Sequence, residues 1–172
     1  AVATPTGDAV DALAEAQLLL VGGVLANNAR LAQDGADWTV QGDPTEAAFL
    51  VAQHKMAGVP ARAAGYARRG EVPFTSDRRL MSVMAHHAER DEDRLYTKGA
   101  PDVLLTRCTR LRVGVGTVEL DAAARAALVG AIEGLSGQGF RTLGVAYRVL
   151  DADDPVDRDR PGAASETDLT FV

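Results

Sequence analysis

The 172-residue chain has the length of one domain, and a chain of about that size buries roughly two-thirds of its unfolded surface, so it can hold a core of its own. Its 47% hydrophobic content is ordinary for a globular protein, and its formal charge of -6 excludes a general nucleic-acid binder while leaving room for a local cationic pocket. Cys108 has no second cysteine to pair with, so an internal disulfide is excluded and a reducing compartment is the simpler expectation.

The start, Ala1-Val2-Ala3-Thr4-Pro5, has neither a basic n-region nor an apolar h-region, so no signal peptide is expected. The richest apolar stretch, 9–31, is interrupted by Asp11, Glu15, Gln17, Asn27, Asn28 and Arg30. It falls short of the roughly 18 uninterrupted apolar residues of a membrane span, and no direct membrane contact is expected. Within it Leu13, Leu18, Leu20, Val21, Val24 and Leu25 recur at helical intervals, which predicts an opening helix closing near Asn27-Asn28. Trp38-Thr39-Val40 reads as a short strand. Asp43 is then a good N-cap, with Pro44 at the first helical position, for a helix running to about Met56 and stopped by Gly58 and Pro60. A short Ala-rich helix is predicted over 61–67.

The centre turns to strands: 71–74, 80–86 and 95–98, with the charged run 89–94 as a surface hairpin turn. Pro101 and Asp102 open a helix ending near Cys108. Residues 111–115 and 117–120 form a hairpin around Gly116, and Asp121 caps an Ala-rich helix ending in Gly134, Gly137 and Gly139. A long strand is predicted over 140–149. The segment 151–167, with six acidic residues, two prolines and few hydrophobes, is expected as a mobile acidic surface loop. The closing Asp168-Leu169-Thr170-Phe171-Val172 alternates like a strand. Hairpin-linked strands with flanking helices predict an α+β fold: one domain over 1–172, built on a largely antiparallel, twisted β-sheet flanked by helices.

Four clusters carry the polar chemistry: Gly42-Asp43-Pro44-Thr45-Glu46, Pro73-Phe74-Thr75-Ser76-Asp77-Arg78-Arg79-Leu80-Met81-Ser82-Val83, Lys98-Gly99-Ala100-Pro101-Asp102 and Gly139-Phe140-Arg141-Thr142-Leu143. Neither a Gly-x-x-x-x-Gly-Lys-Ser/Thr loop nor a Gly-x-Gly-x-x-Gly turn is present, so the two common phosphate cradles are absent. Phe74, at a strand end before a polar turn, is either a half-exposed stacking face or a core residue. Gly99 and Ala100 leave room for a ligand beside the backbone, and the Lys98 ammonium can reach a ring or a phosphate. Glu46 completes an Asp-x-x-Glu cap or accepts a hydrogen bond from a ligand, and both readings stand. His86 and His87, adjacent in a strand, point to opposite faces and do not chelate together. His54 reads as a helix-surface residue, and Cys108 as a small buried side chain.

Together the four clusters resemble the nucleotide-binding (N) domain of P-type cation-transporting ATPases, most closely the type II branch that includes calcium pumps, with a bacterial member expected. The resemblance runs from the opening helix to the closing strand. It implies that Phe74 stacks on adenine, that Lys98 with Gly99 and Ala100 lines the adenine pocket, that Glu46 accepts from the adenine amine beside Thr45, and that Arg141 serves the phosphate side. Arg79 stands where calcium pumps often carry Lys; Asp102 stands where Glu is usual. Ser76 replaces an arginine of some members, which predicts weaker phosphate binding.

The phosphorylation motif Asp-Lys-Thr-Gly-Thr, the dephosphorylation motif Thr-Gly-Glu, the Mg²⁺-binding hinge motifs and every transmembrane helix of that family are missing from these 172 residues. The resemblance therefore implies an ATP- and ADP-binding piece excised from a larger membrane pump. Its partners there are the phosphorylation and actuator domains, Mg²⁺ ligands lie mostly outside this chain, and the isolated domain is monomeric and catalyses nothing. Two other readings are a self-contained nucleotide-binding or regulatory module and an independent hydrolase. The second needs a clustered nucleophile and base, which the sequence does not display.

Overall fold

The computed structural model describes residues 9–35 and 37–172; the first residues, on which the absence of a signal peptide was read, lie outside it. Helix α1 spans Ala9–Leu25, closing slightly before the expected Asn27. A hairpin of β1 (Arg30–Asp34) and β2 (Asp37–Gln41) follows, then α2 (Pro44–Lys55) and α3 (Val59–Ala64). Strand β1 was not expected. It has no β-branched residue and forms because every position pairs with β2 across the turn at Gly35.

Seven further strands make one sheet: β3 (Tyr66–Val72), β4 (Leu80–His87), β5 (Glu92–Gly99), β6 (Cys108–Val113), β7 (Gly116–Glu119), β8 (Gly144–Leu150) and β9 (Leu169–Phe171), ordered β3-β4-β5-β8-β9-β6-β7. Every neighbouring pair is antiparallel except β6 with β9. Helix α4 (Pro101–Thr106) links β5 to β6, and α5 (Ala122–Gly137), capped by Asp121 through the Ala124 amide, links β7 to β8. The α+β expectation holds.

Side chains alternate across the sheet and fill two cores. On one face Met81, Val83, Tyr96, Val145 and Tyr147 pack against Leu20 and Val21 of α1, Phe49 of α2 and Val59. Helix α1 lies close because Gly22 faces Tyr96 and Val145; a Cβ there would stand 2.7 Å from Val145 Cγ1. On the other face Leu80, Met84, Leu95, Ala146 and Leu169 pack against Leu104 and Leu105 of α4. Helix α5 adds Ala124, Leu128 and Ile132, one per turn, to that second core.

Several boundaries differ from expectation: the Ala-rich helix is Val59–Ala64 rather than 61–67, β3 starts at Tyr66 rather than 71, and β6 starts at Cys108 rather than 111. Strand β3 stops at Val72, because Pro73 has no N–H for the ladder, so Phe74 lies in a turn. The charged turn is shorter, with β5 already paired from Glu92. Strand β8 begins at Gly144, leaving Phe140 to Leu143 as an extended approach to it.

The acidic segment 151–167, expected as a mobile surface loop, has no helix or strand beyond one 3₁₀ turn and is fastened to the sheet as a strap. Arginines fasten the segment: Arg148 contacts Asp154 at 3.1 Å, Arg69 contacts Asp159 at 3.0 Å, and Arg158 donates to the backbone carbonyls of Asp151 and Asp154, each at 2.6 Å. A 3₁₀ turn at Ala163–Ser165 then leads to Glu166, which is 1% exposed.

Candidate functional site

Where β5 ends beside the start of α2, a cavity of about 250 Å³ is lined by Asp43, Thr45, Glu46, Phe74, Lys98, Gly99, Arg141 and Leu143. Six of the eight sequence-selected residues meet here. The other two, Arg79 and Ala100, stand just beyond it: Ala100 is the N-cap of α4 and donates its N–H to the Arg79 carbonyl at 3.0 Å, while the Arg79 guanidinium contacts Asp102 at 3.1 Å.

The α2 side is set by its cap. Asp43 is extended and its carboxylate accepts from the Thr45 amide at 2.6 Å; the Thr45 side chain and then this amide hold it below the usual carboxylate range. Pro44 supplies the preset φ of a first helical residue. Thr45 and Glu46 then project from the first turn.

Glu46 does not turn back to the Asp43 amide, so the capping-box reading is corrected. Its Oε2 accepts instead from the amides of Asn28 (2.9 Å) and Ala29 (3.2 Å), where the chain passes from α1 to β1 and those N–H groups need acceptors. Its Oε1 lies 3.0 Å from Lys98 Nζ.

Lys98 is 4% exposed, and its ammonium sits 5.7 Å over the Phe49 ring. Burial draws it below the ordinary lysine value, opposed by the Glu46 carboxylate beside it. The contact with Glu46 is a charge pair outside hydrogen-bond angles, so Nζ has no hydrogen-bond partner. A buried ammonium with three donors and one off-angle carboxylate is short of acceptors.

Gly99 is required by backbone crowding. A Cβ there would stand 2.1 Å from the Arg79 carbonyl oxygen, so only glycine lets β5 and the 73–80 turn approach this closely.

Phe74 is 55% exposed and so is not a core residue. Its turn is closed by the Arg79 N–H to Thr75 carbonyl bond at 2.8 Å, with Arg79 at φ 55. Arg78 fastens the turn from behind, donating to the carbonyls of Pro73 (3.1 Å) and Leu80 (2.7 Å) and to Glu166 Oε1 (3.1 Å). Glu166 also accepts from Ser82 Oγ at 2.7 Å, and Ser82 Oγ lies 2.8 Å from Thr97 Oγ1. The 151–167 strap therefore holds the Phe74 turn through Glu166. Arg141, exposed at the cavity, makes no hydrogen bond or ion pair among the described residues.

Sequence reasoning took Asp43 only as a cap and Leu143 only as a strand residue, yet both line the cavity. Leu143 was findable: in an extended 141–147 segment it shares a face with Arg141 and Val145. Glu166 was hidden among acidic neighbours. His86 Nδ1 lies 3.0 Å from Asp93 Oδ1, and His87 packs edge-on to Tyr66. No group of three or more His, Cys, Asp or Glu converges among the described residues. Burial pushes the Cys108 thiol up to about 12, so it is an inert core group.

The family model described as P-type ATPase, cytoplasmic domain N, matches residues 15–172. The chain belongs to this N-domain family. It is 31% identical over 158 residues to a calcium-transporting ATPase of Bacillus subtilis, covering 91% of this chain and 17% of that protein. It is 32% identical over 164 residues to the probable cation-transporting ATPase F of Mycobacterium tuberculosis, covering 93% of this chain and 18% of the relative. A P-type 1 magnesium-transporting ATPase of Salmonella typhimurium is 36% identical over 92 residues, 54% of this chain and 10% of its own length. The N domain thus spans under a fifth of these relatives, whose names cover more than one ion. No described helix is long and apolar enough to cross a membrane.

Proposed function

We propose that this N domain binds ATP in the Lys98 cavity, adenine inward, and presents the γ-phosphate to a separate phosphorylation domain of a longer cation-transporting ATPase. The observation that carries the reading is the buried, acceptor-poor Lys98 ammonium facing a cavity whose rim holds an exposed aromatic ring and an unpaired arginine. A purine supplies ring nitrogens that accept and an exocyclic amine that donates. Glu46 retains lone-pair capacity beyond its two amides and Lys98, because a carboxylate accepts at about four sites. Phe74 provides the stacking face, on the scale of about 1–3 kcal/mol per base.

The charges orient the ligand. Asp43 and Glu46 repel phosphates from the α2 side, while Arg141 offers a guanidinium fork suited to them. Thr45 adds a hydroxyl on the adenine side, and Arg79, beyond the rim, adds positive charge toward α4. Mg²⁺ does not fit a site of this chain's own: Asp43 is engaged with the Thr45 amide, Glu46 with two amides and Lys98, and no third ligand converges among the described residues. The actuator and phosphorylation domains are the partners this reading requires, and the domain by itself is monomeric and does not hydrolyse ATP.

Titration with ATP, ADP and AMP, followed by amide NMR shifts, tests it. The expected dissociation constant for ATP and ADP is on the order of 0.1 to a few mM, with shifts at Thr45, Phe74, Gly99 and Leu143. Shifts confined to residues 151–167, or none, would overturn it. Phosphate release above buffer that disappears in Lys98→Ala would show a self-sufficient hydrolase instead.

A further inference from the structure

A second cavity, of about 200 Å³, sits at the opposite end of β5 on the same face of the sheet. Arg94, Tyr96 and Lys98 alternate on that face, and the nearest lining residues of the two cavities, Tyr96 and Lys98, are two residues apart on the strand, about 7 Å. The second is walled by the polar side chains of Arg62, Tyr66, His87, Arg90, Arg94 and Tyr96 and by apolar groups of α1. Three arginines around so small a space stand out in a chain with a formal charge of -6.

The cations are not balanced locally. Arg94 is paired with Glu92 and stacks 5.3 Å from the Tyr147 ring centre. Arg62 and Arg90, both exposed, have no carboxylate partner among the described residues, and no carboxylate lines the cavity. Of the acids in the adjoining turn, Asp91 is turned out to solvent toward His86, 3.9 Å from its Nε2.

The second observation is the unpartnered polar atoms at the floor. Tyr96 is 0% exposed, yet its hydroxyl has no hydrogen-bond partner, and the buried Nδ1 of His87 has none either. Burial raises the Tyr96 hydroxyl well above the ordinary tyrosine value, so it stays a donor. Guanidinium forks at the mouth and an unused O–H at the floor call for a compact ligand rich in acceptor oxygens.

We infer that this Arg62–Arg90–Arg94 cavity is a second anion site, separate from the Lys98 cavity, that takes a phosphate group. A carboxylate would satisfy one fork. A tetrahedral oxyanion has oxygens for two guanidinium groups and the Tyr96 hydroxyl together. The apolar wall from α1 and the partly exposed Tyr66 ring leave room for an organic body on that phosphate. The site does not depend on the ATP reading, since it shares no residue with that cavity.

The test is an amide NMR titration of this chain with inorganic phosphate, at ionic strength held constant with chloride. Saturable shifts are expected at Arg62, Tyr66 and His87 to Arg94, with Phe74, Gly99 and Leu143 unmoved. Arg62→Gln with Arg90→Gln, both exposed and so tolerated by the fold, should weaken binding by about tenfold or more. Tyr96→Phe should weaken it several-fold, by removing the floor donor. Lys98→Ala should leave it unchanged while weakening the ATP shifts, which separates the two sites. Glycerol 3-phosphate binding more tightly than inorganic phosphate would assign a phosphate monoester such as a headgroup; equal or weaker binding assigns free phosphate. Shifts that never saturate, that move to Arg141 and Phe74, or that persist in the double variant would overturn the site.

Discussion

An ion pair is buried against each face of β4 and β5, and the two pairs are finished differently. Behind the sheet, Glu166 accepts from Arg78 and Ser82, and Arg78 spends further donors on two carbonyls of the turn it closes. On the front, Lys98 faces Glu46 without hydrogen-bond geometry and with a cavity before it. A pair whose donors are engaged by the protein, all but Arg78 Nε, shapes the chain around it. A pair left short of acceptors keeps its donors for a ligand. Desolvation is costly for both, so the difference lies in where the missing interactions are found.

The largest expected effect breaks the closed pair. Glu166→Ala should lower stability by about 3 kcal/mol, the lower end for removing one partner of a buried pair, because Arg78 keeps partial solvent access. The shift of the urea midpoint measures it. A loss comparable to that of an ordinary surface substitution would show that the strap does not hold the Phe74 turn. Glu166→Gln, which can still accept from Ser82, should lose less.

The open pair should respond in binding. Lys98→Ala is expected to weaken ATP by about 1.5–3 kcal/mol, the scale of hydrogen bonds to charged groups, with a smaller loss of stability than Glu166→Ala. Glu46 keeps its two amide bonds in that variant. Calorimetric titration beside thermal melting reads both quantities, and equal losses in each would erase the contrast. Phe74→Ala, at a half-exposed ring, should cost about 1–3 kcal/mol of nucleotide binding with Tm nearly unchanged. A large fall in Tm would return the ring to the core.

The smallest effect is a pH trend. Burial lowers the Lys98 pKa from the ordinary 10.5, so the folded chain releases that proton before the unfolded chain does. Between the lowered value and 10.5 the unfolded state binds more protons, and the Lys98 contribution to stability rises with pH. ATP affinity should fall over the same window, as the ammonium that meets the ligand is lost. Lys98→Arg, charged throughout, should flatten both curves. An affinity that stays level in the parent chain while Lys98 titrates would remove Lys98 from the ligand contact.

Elements with a local cause were legible in the sequence: the Asp43 and Asp121 caps and the alternation of β4 and β8. So were six cavity residues, because the four clusters sit where strands and helices end and such ends converge at one rim of a sheet. Strand β1 was not, since its only support is its pairing with β2. Nor was the task of Glu46, whose helical position allows a cap as readily as the amides of Asn28 and Ala29. Which acid is buried is a matter of distant neighbours: Glu166 meets Arg78 and Ser82 across more than 80 residues of chain. Six acids in one segment read alike until the sheet's arginines select among them. Local rules decide elements and their ends; the partners of charged groups are long-range, and tertiary packing alone determines which charges are closed and which are left for a ligand.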